Sequence, residues 1–170
     1  MVIEEVVPQL PQKPERVRAA YGNCASLGKF VGVQAGEFSS HLEKAKSDLR
    51  SVDADFSREQ WDWAIVKSYY AIHHAMNALL IKERGFYSKD HLCAILALTF
   101  FDVLPSGLYG ELREIHAKFA DFTGFDVMYS LRKIWQYDVR KWKQLSRSDA
   151  ESVYLLAKKI VPFIEERCYR

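Results

Sequence analysis

The sequence predicts an all-α fold, an antiparallel up-and-down bundle of four to six helices. Three observations carry this. Apolar residues recur three or four apart over long stretches, most clearly in Trp61–Leu80. Helix-start signals of the Ser-x-x-Glu/Gln type stand ahead of several such stretches. No segment keeps a period-two alternation between hairpin turns. Gly85, the Pro105-Ser106-Gly107 turn and Thr123-Gly124 supply the short breaks that antiparallel neighbours need.

Residues 1–37 read as an irregular N-terminal arm, and 38–170 as the bundle. Pro8, Pro11 and Pro14 interrupt any early helix, although Pro14-Glu15-Arg16 suits a short helix running toward Tyr21. Gly28, Gly32 and Gly36 recur every four residues. They fit a linker or docking segment, a small-residue helix face, or a Gly-rich loop, but the Gly-Lys-Ser/Thr ending of a P-loop is missing. Further on, Ser40–Glu43, Ser57–Gln60 and Ser148–Glu151 match the capping box, in which hydroxyl and acid or amide satisfy orphan backbone donors reciprocally. Helices are expected at about 38–53, 58–84, 89–103, 108–121, 125–145 and 148–168, with Pro162 kinking or restarting the last.

The chain is organised around Trp61–Leu80. One stripe, Trp61, Ala64, Ser68, Ala71, Ile72, Ala75 and Leu79, faces a core. Beside it run Val66, Tyr70, His73, Asn77 and Leu80. A helix with both faces buried lies mid-bundle or against a partner. The polar groups of its second face then form a hydrogen-bonded network or contribute to a site. The helix at 89–103 is apolar nearly all round, which suits a central position better than an oligomer face.

With 170 residues and a formal net charge of +2, the chain is long enough for one cored domain and is no polycation, so nucleic-acid binding requires a local patch. Cys24, Cys93 and Cys168 are scattered and odd in number, with no CxxC. Unpaired thiols in a reducing compartment are expected, with Cys93 a small core residue and no zinc site. No signal peptide is expected, and the longest apolar run, Ala94–Phe101, is too short to span a bilayer; a soluble, cytoplasmic protein without membrane partners is expected.

Several stretches resemble the HEPN family, helical domains of higher eukaryotes and prokaryotes named for nucleotide binding. His41-Leu42-Glu43-Lys44-Ala45-Lys46-Ser47-Asp48-Leu49 is similar to its first helix. Ser68-Tyr69-Tyr70-Ala71-Ile72-His73-His74-Ala75, followed by Ala78-Leu79-Leu80, is similar to its hallmark helix. Ser88-Lys89-Asp90-His91 is similar to the start of its third, and Ala157–Phe163 to its last. The resemblance covers about 38–167 and leaves the arm unexplained, and the helix near 108–121 looks like an insertion. It is strongest toward the prokaryotic branch associated with minimal nucleotidyltransferases. It implies a homodimer with Arg-bearing helices near the interface. It also implies a minimal nucleotidyltransferase as partner, in a toxin–antitoxin-like pair.

Ribonucleases of this family carry Arg and His four to six residues apart. Arg132-Lys133-Ile134-Trp135-Gln136-Tyr137 is the best counterpart here, with Tyr137 where His is expected. A rival, Ala117–Phe122, lacks the Arg, and Arg113 and His116 stand too close together. Attack by a 2′-oxygen needs a group titrating near neutrality, which imidazole supplies and a phenol does not. No residue is therefore assigned as catalytic. The expected function is a non-catalytic module binding nucleotide, RNA or a partner. Arg132, Gln136 and Arg140 form part of a cationic strip suited to phosphate or to acidic groups. Tyr137 lines the same cleft, and Tyr70, His73 and Asn77 support it from the hallmark helix. Two alternatives stay open: a metal-independent ribonuclease using a displaced His73, His74 or His91, and a structural oligomerisation domain. No cofactor or metal is expected, since adjacent His73 and His74 point about 100° apart and belong to no HExxH or ExxH motif.

Overall fold

The structure, a computed structural model, describes residues 9–119 and 143–170. Six α-helices are present among them: α1 (Pro14–Ser26), α2 (Phe38–Ser57), α3 (Trp61–Arg84), α4 (His91–Phe100), α5 (Ser106–Lys118) and α6 (Arg147–Tyr169). Two three-residue strands, β1 (Phe30–Gly32) and β2 (Phe86–Ser88), pair antiparallel with Val31 opposite Tyr87. The architecture is all-α, as the periodicity predicts. The body of the helix expected at 125–145 lies outside the described residues, as do Arg132, Gln136, Tyr137 and Arg140.

α3 is the central element. It packs on α2, α6, α4 and β2, and every residue from Ala75 to Ile81 is buried. This is the two-faced burial that its double stripe implies. Leu79, Leu80 and Ile81 have no exposed surface, so each contributes roughly 1.5–3 kcal/mol of transfer free energy. The helix ends at Gly85, whose φ of 76° is left-handed and whose N–H donates to the Ile81 carbonyl at 2.9 Å. A Cβ would be strained in that conformation. The same turn launches β2 directly back along the helix.

The helix starts differ from the capping boxes in the sequence. α2 begins at Phe38, before Ser40, and its N-cap Glu37 makes no side-chain cap. Ser57 closes α2, with its hydroxyl donating to the Asp53 carbonyl, so it cannot begin α3. The box that forms is Ser146 with Asp149, two residues ahead of the expected Ser148–Glu151. Several Ser-x-x-acid patterns overlap here, and the turn before each helix decides which hydroxyl reaches an orphan N–H. α6 also runs through Pro162 as one helix, so Pro162 does not restart it.

The arm carries more structure than an irregular segment. α1 spans 13 residues with Pro14 in its first turn, and extends past Tyr21 to Ser26. Leu10, Val17 and Cys24 enter the main core. Tyr21 stacks on Phe100 at 4.2 Å, so the aromatic edge of α4 is covered by α1. Cys24 and Cys93 are joined in a disulfide, which corrects the expectation of unpaired thiols; Cys168 alone is free, and it is buried. The sequence spacing of the two gave no hint, because the pairing depends on α1 folding back over α4. Cysteine usage therefore no longer argues for a reducing compartment.

Candidate functional site

Four histidines, drawn from three helices, converge beside the middle of α3. His73 and His74 come from α3, His41 from the start of α2 and His91 from the first turn of α4. The His73 and His91 ring centroids lie 3.8 Å apart, and those of His41 and His74 5.6 Å apart. Tyr69 and Tyr70 pack on His91 at 4.7 and 5.5 Å, and Tyr87 of β2 lies 5.6 Å from His41. Helical geometry explains the arrangement. Adjacent residues on a helix point about 100° apart. His73 therefore turns inward to α4, while His74 turns toward α2.

The inner half of the cluster is a polar network. Asn77, one turn after His73, donates from Nδ2 to the Ser88 carbonyl at 2.9 Å and accepts from the Ser88 N–H at Oδ1, 3.0 Å. Both ends of the amide are thereby oriented. Its nitrogen also lies 3.1 Å from His73 Nε2, so Nε2 is the acceptor and the neutral ring carries its proton on Nδ1. Beyond Asn77, the Ser88 hydroxyl donates to the Asp90 carbonyl and accepts from the Asp90 N–H. Asp90 caps α4 by accepting from the Cys93 N–H at 3.1 Å. The residues Ser88-Lys89-Asp90-His91 thus form a turn clamped by the hallmark helix.

Burial decides the charge of these rings. His73 is held neutral, its pKa well below the usual imidazole value, first by desolvation and then by neighbouring His91, His74 and His41. His91 is lowered to about 3, again by burial first and by His74 and His116 next. The outer pair is more open. His41 and His74 approach at 3.5 Å between their Nδ1 atoms. Burial lowers both, opposed by Glu37 at His41 and by Asp48 at His74. Among the described residues, no group of three His, Cys, Asp or Glu side chains is placed to hold a metal ion.

Of the residues singled out in the sequence, Tyr70, His73 and Asn77 are brought together on α3. Tyr70 is half-buried, whereas His73 and Asn77 are buried. The amide of Asn77 is committed to Ser88, a structural task that its place in the stripe does not reveal. Sequence reading also missed His41 as part of the cluster. It stands inside a family-like first helix, and only the α2–α3 packing carries it to His74.

The fold and this cluster define a helical-bundle domain whose long central helix presents histidine, tyrosine and amide side chains to its neighbours. The HEPN domain family model matches residues 38–167, most of the chain, and the chain belongs to that family. Comparison with curated proteins and with solved structures gives no match. Family membership makes this a nucleotide- or RNA-related module in general terms. No helix among the described residues is long and apolar enough to cross a membrane.

Proposed function

We propose that this HEPN domain works by binding rather than by cutting. In this reading Arg132 engages a phosphate or an acidic partner group, helped by Gln136, Arg140 and Tyr137. Tyr70, His73 and Asn77 hold the neighbouring stretch of α3 in shape. The molecule acts as a homodimer, paired with a minimal nucleotidyltransferase in a toxin–antitoxin-like couple. One observation carries the non-catalytic part. His73 and His91, two of the imidazoles able to replace the histidine absent at Tyr137, are buried, neutral and turned into the fold. A ring in that state cannot exchange protons with a substrate near neutral pH.

The test is a metal-free incubation with mixed single-stranded RNA, run beside a binding titration at low salt. Saturable binding without cleavage, weakened in Arg132→Ala, is expected. Cleavage abolished by Arg132→Ala overturns the reading. The His41–His74 pair favours the ribonuclease alternative, being only half-buried and mutually within reach. In that case His74→Asn abolishes cleavage as well. Absence of any saturable nucleotide or RNA binding points instead to a purely structural oligomerisation domain.

A further inference from the structure

A second site lies at the opposite end of the sequence logic, where the arm docks on α5. The backbone of residues 9–13 is fastened there by two hydrogen bonds. The Tyr109 hydroxyl donates to the Pro11 carbonyl, and Arg113 Nε donates to the Leu10 carbonyl at 3.2 Å. Leu10 itself is buried beneath them. Between this strap, the first turn of α1 and α5 is an open surface groove of about 520 Å³. Its lining includes Lys13, Arg16 and Arg113, with Gln9 and Gln12 beside them, and no carboxylate.

Among the described residues, Lys13, Arg16 and Arg113 make no ion pair, although nine pairs form elsewhere. Among the described residues, Arg113 is held by neutral acceptors. Besides Leu10, it meets the Gln12 amide, whose oxygen, turned toward the guanidinium, accepts from Nη1 and Nη2 at 3.2 and 3.0 Å. Three of the five guanidinium N–H groups are thus used for positioning, and the others remain for a ligand. α1 adds the positive end of its dipole. Glu15 and Glu114 are both exposed, and neither lines the groove.

We propose that this groove binds a small oligophosphate, such as pyrophosphate or the phosphate chain of a nucleotide. The groove leaves room for more than one phosphate group. Arg offers the forked geometry that phosphate oxygens accept, and Lys the mobile point charge. The site draws most of its lining from outside the family-matched residues.

The experiment is isothermal titration of the full chain carrying Arg132→Ala, so that the cleft proposed above does not contribute its phosphate contact. The probes are inorganic phosphate, pyrophosphate and ATP at low salt. Saturable binding is expected, tighter for pyrophosphate than for phosphate. Arg16→Gln should weaken it about tenfold, the effect of losing one charge-assisted hydrogen bond. Arg16 is exposed and makes no side-chain hydrogen bond among the described residues, so its loss does not disturb folding. Arg113→Gln should weaken binding at least as much, with a thermal melt reporting any loosening of the strap. No saturable binding of pyrophosphate or ATP overturns the proposal, as does binding that Arg16→Gln leaves unchanged. Single-stranded RNA bound through Arg16 while pyrophosphate is ignored overturns it too, in favour of a polymer groove.

Discussion

Asn77 shows how much one side chain can decide. Its amide bridges α3 to the turn before α4 through two hydrogen bonds to Ser88. Asn77→Ala leaves the buried Ser88 backbone groups unsatisfied and should cost about 2–4 kcal/mol, read as a lower urea midpoint. A loss of RNA binding with no change in midpoint would instead make Asn77 a ligand contact. The buried imidazoles set a pH dependence. An unfolded histidine titrates near 6.5, whereas folded His91 titrates near 3 and His73 well below its usual value. Between those limits the unfolded chain binds more protons. Stability is therefore fully present above about 6.5 and falls as pH drops toward 3, by up to about 1.4 kcal/mol per pH unit for each ring. Urea titrations across pH 4 to 7 check this, and His91→Asn should flatten the slope. An unchanged slope means that His91 is not the proton acceptor.

Among the elements, α1 depends most on a single bond. The Cys24–Cys93 disulfide joins it to α4 across 69 residues of sequence. Closing a loop of that length stabilises a fold by on the order of 4 kcal/mol in the chain-entropy account. Reduction, or Cys24→Ser, should therefore lower the thermal midpoint markedly. Thiol titration of the denatured protein should find one free thiol before reduction and three afterwards. Three thiols before reduction would show that the bond does not form. α2 and α3 are tied differently, by Lys67 reaching the buried Asp55 at 2.9 Å. Removing Lys67 strands the buried Asp55 carboxylate, so Lys67→Met should destabilise by several kcal/mol, read in the same urea assay.

At the scale of the whole molecule, the proposed function requires self-association. Sedimentation equilibrium should give twice the 19.7 kDa chain mass at micromolar concentration. A strict monomer at the highest soluble concentration would remove the proposed homodimer. The disulfide-pinned arm and the bundle share one core, through Leu10, Val17 and Cys24. Binding at the arm groove is accordingly expected to raise the melting point of the whole chain rather than of a separate unit.

The residues by themselves determined the helical class, the central position of Trp61–Leu80 and the family, because a 3.6-residue repeat of apolar side chains survives any detail of packing. They also placed Pro14 in a first helical turn and Gly85 at a helix end, where local backbone preference is enough. Tertiary structure alone decided which serines cap, that Cys24 meets Cys93, that His41 joins the histidines of α3, and that Arg16 and Arg113 flank one groove. Each of these joins residues far apart in the chain or depends on where a turn happens to point. Their relation is set by chain reversal and interhelix packing, which leave no periodic trace in the order of the amino acids.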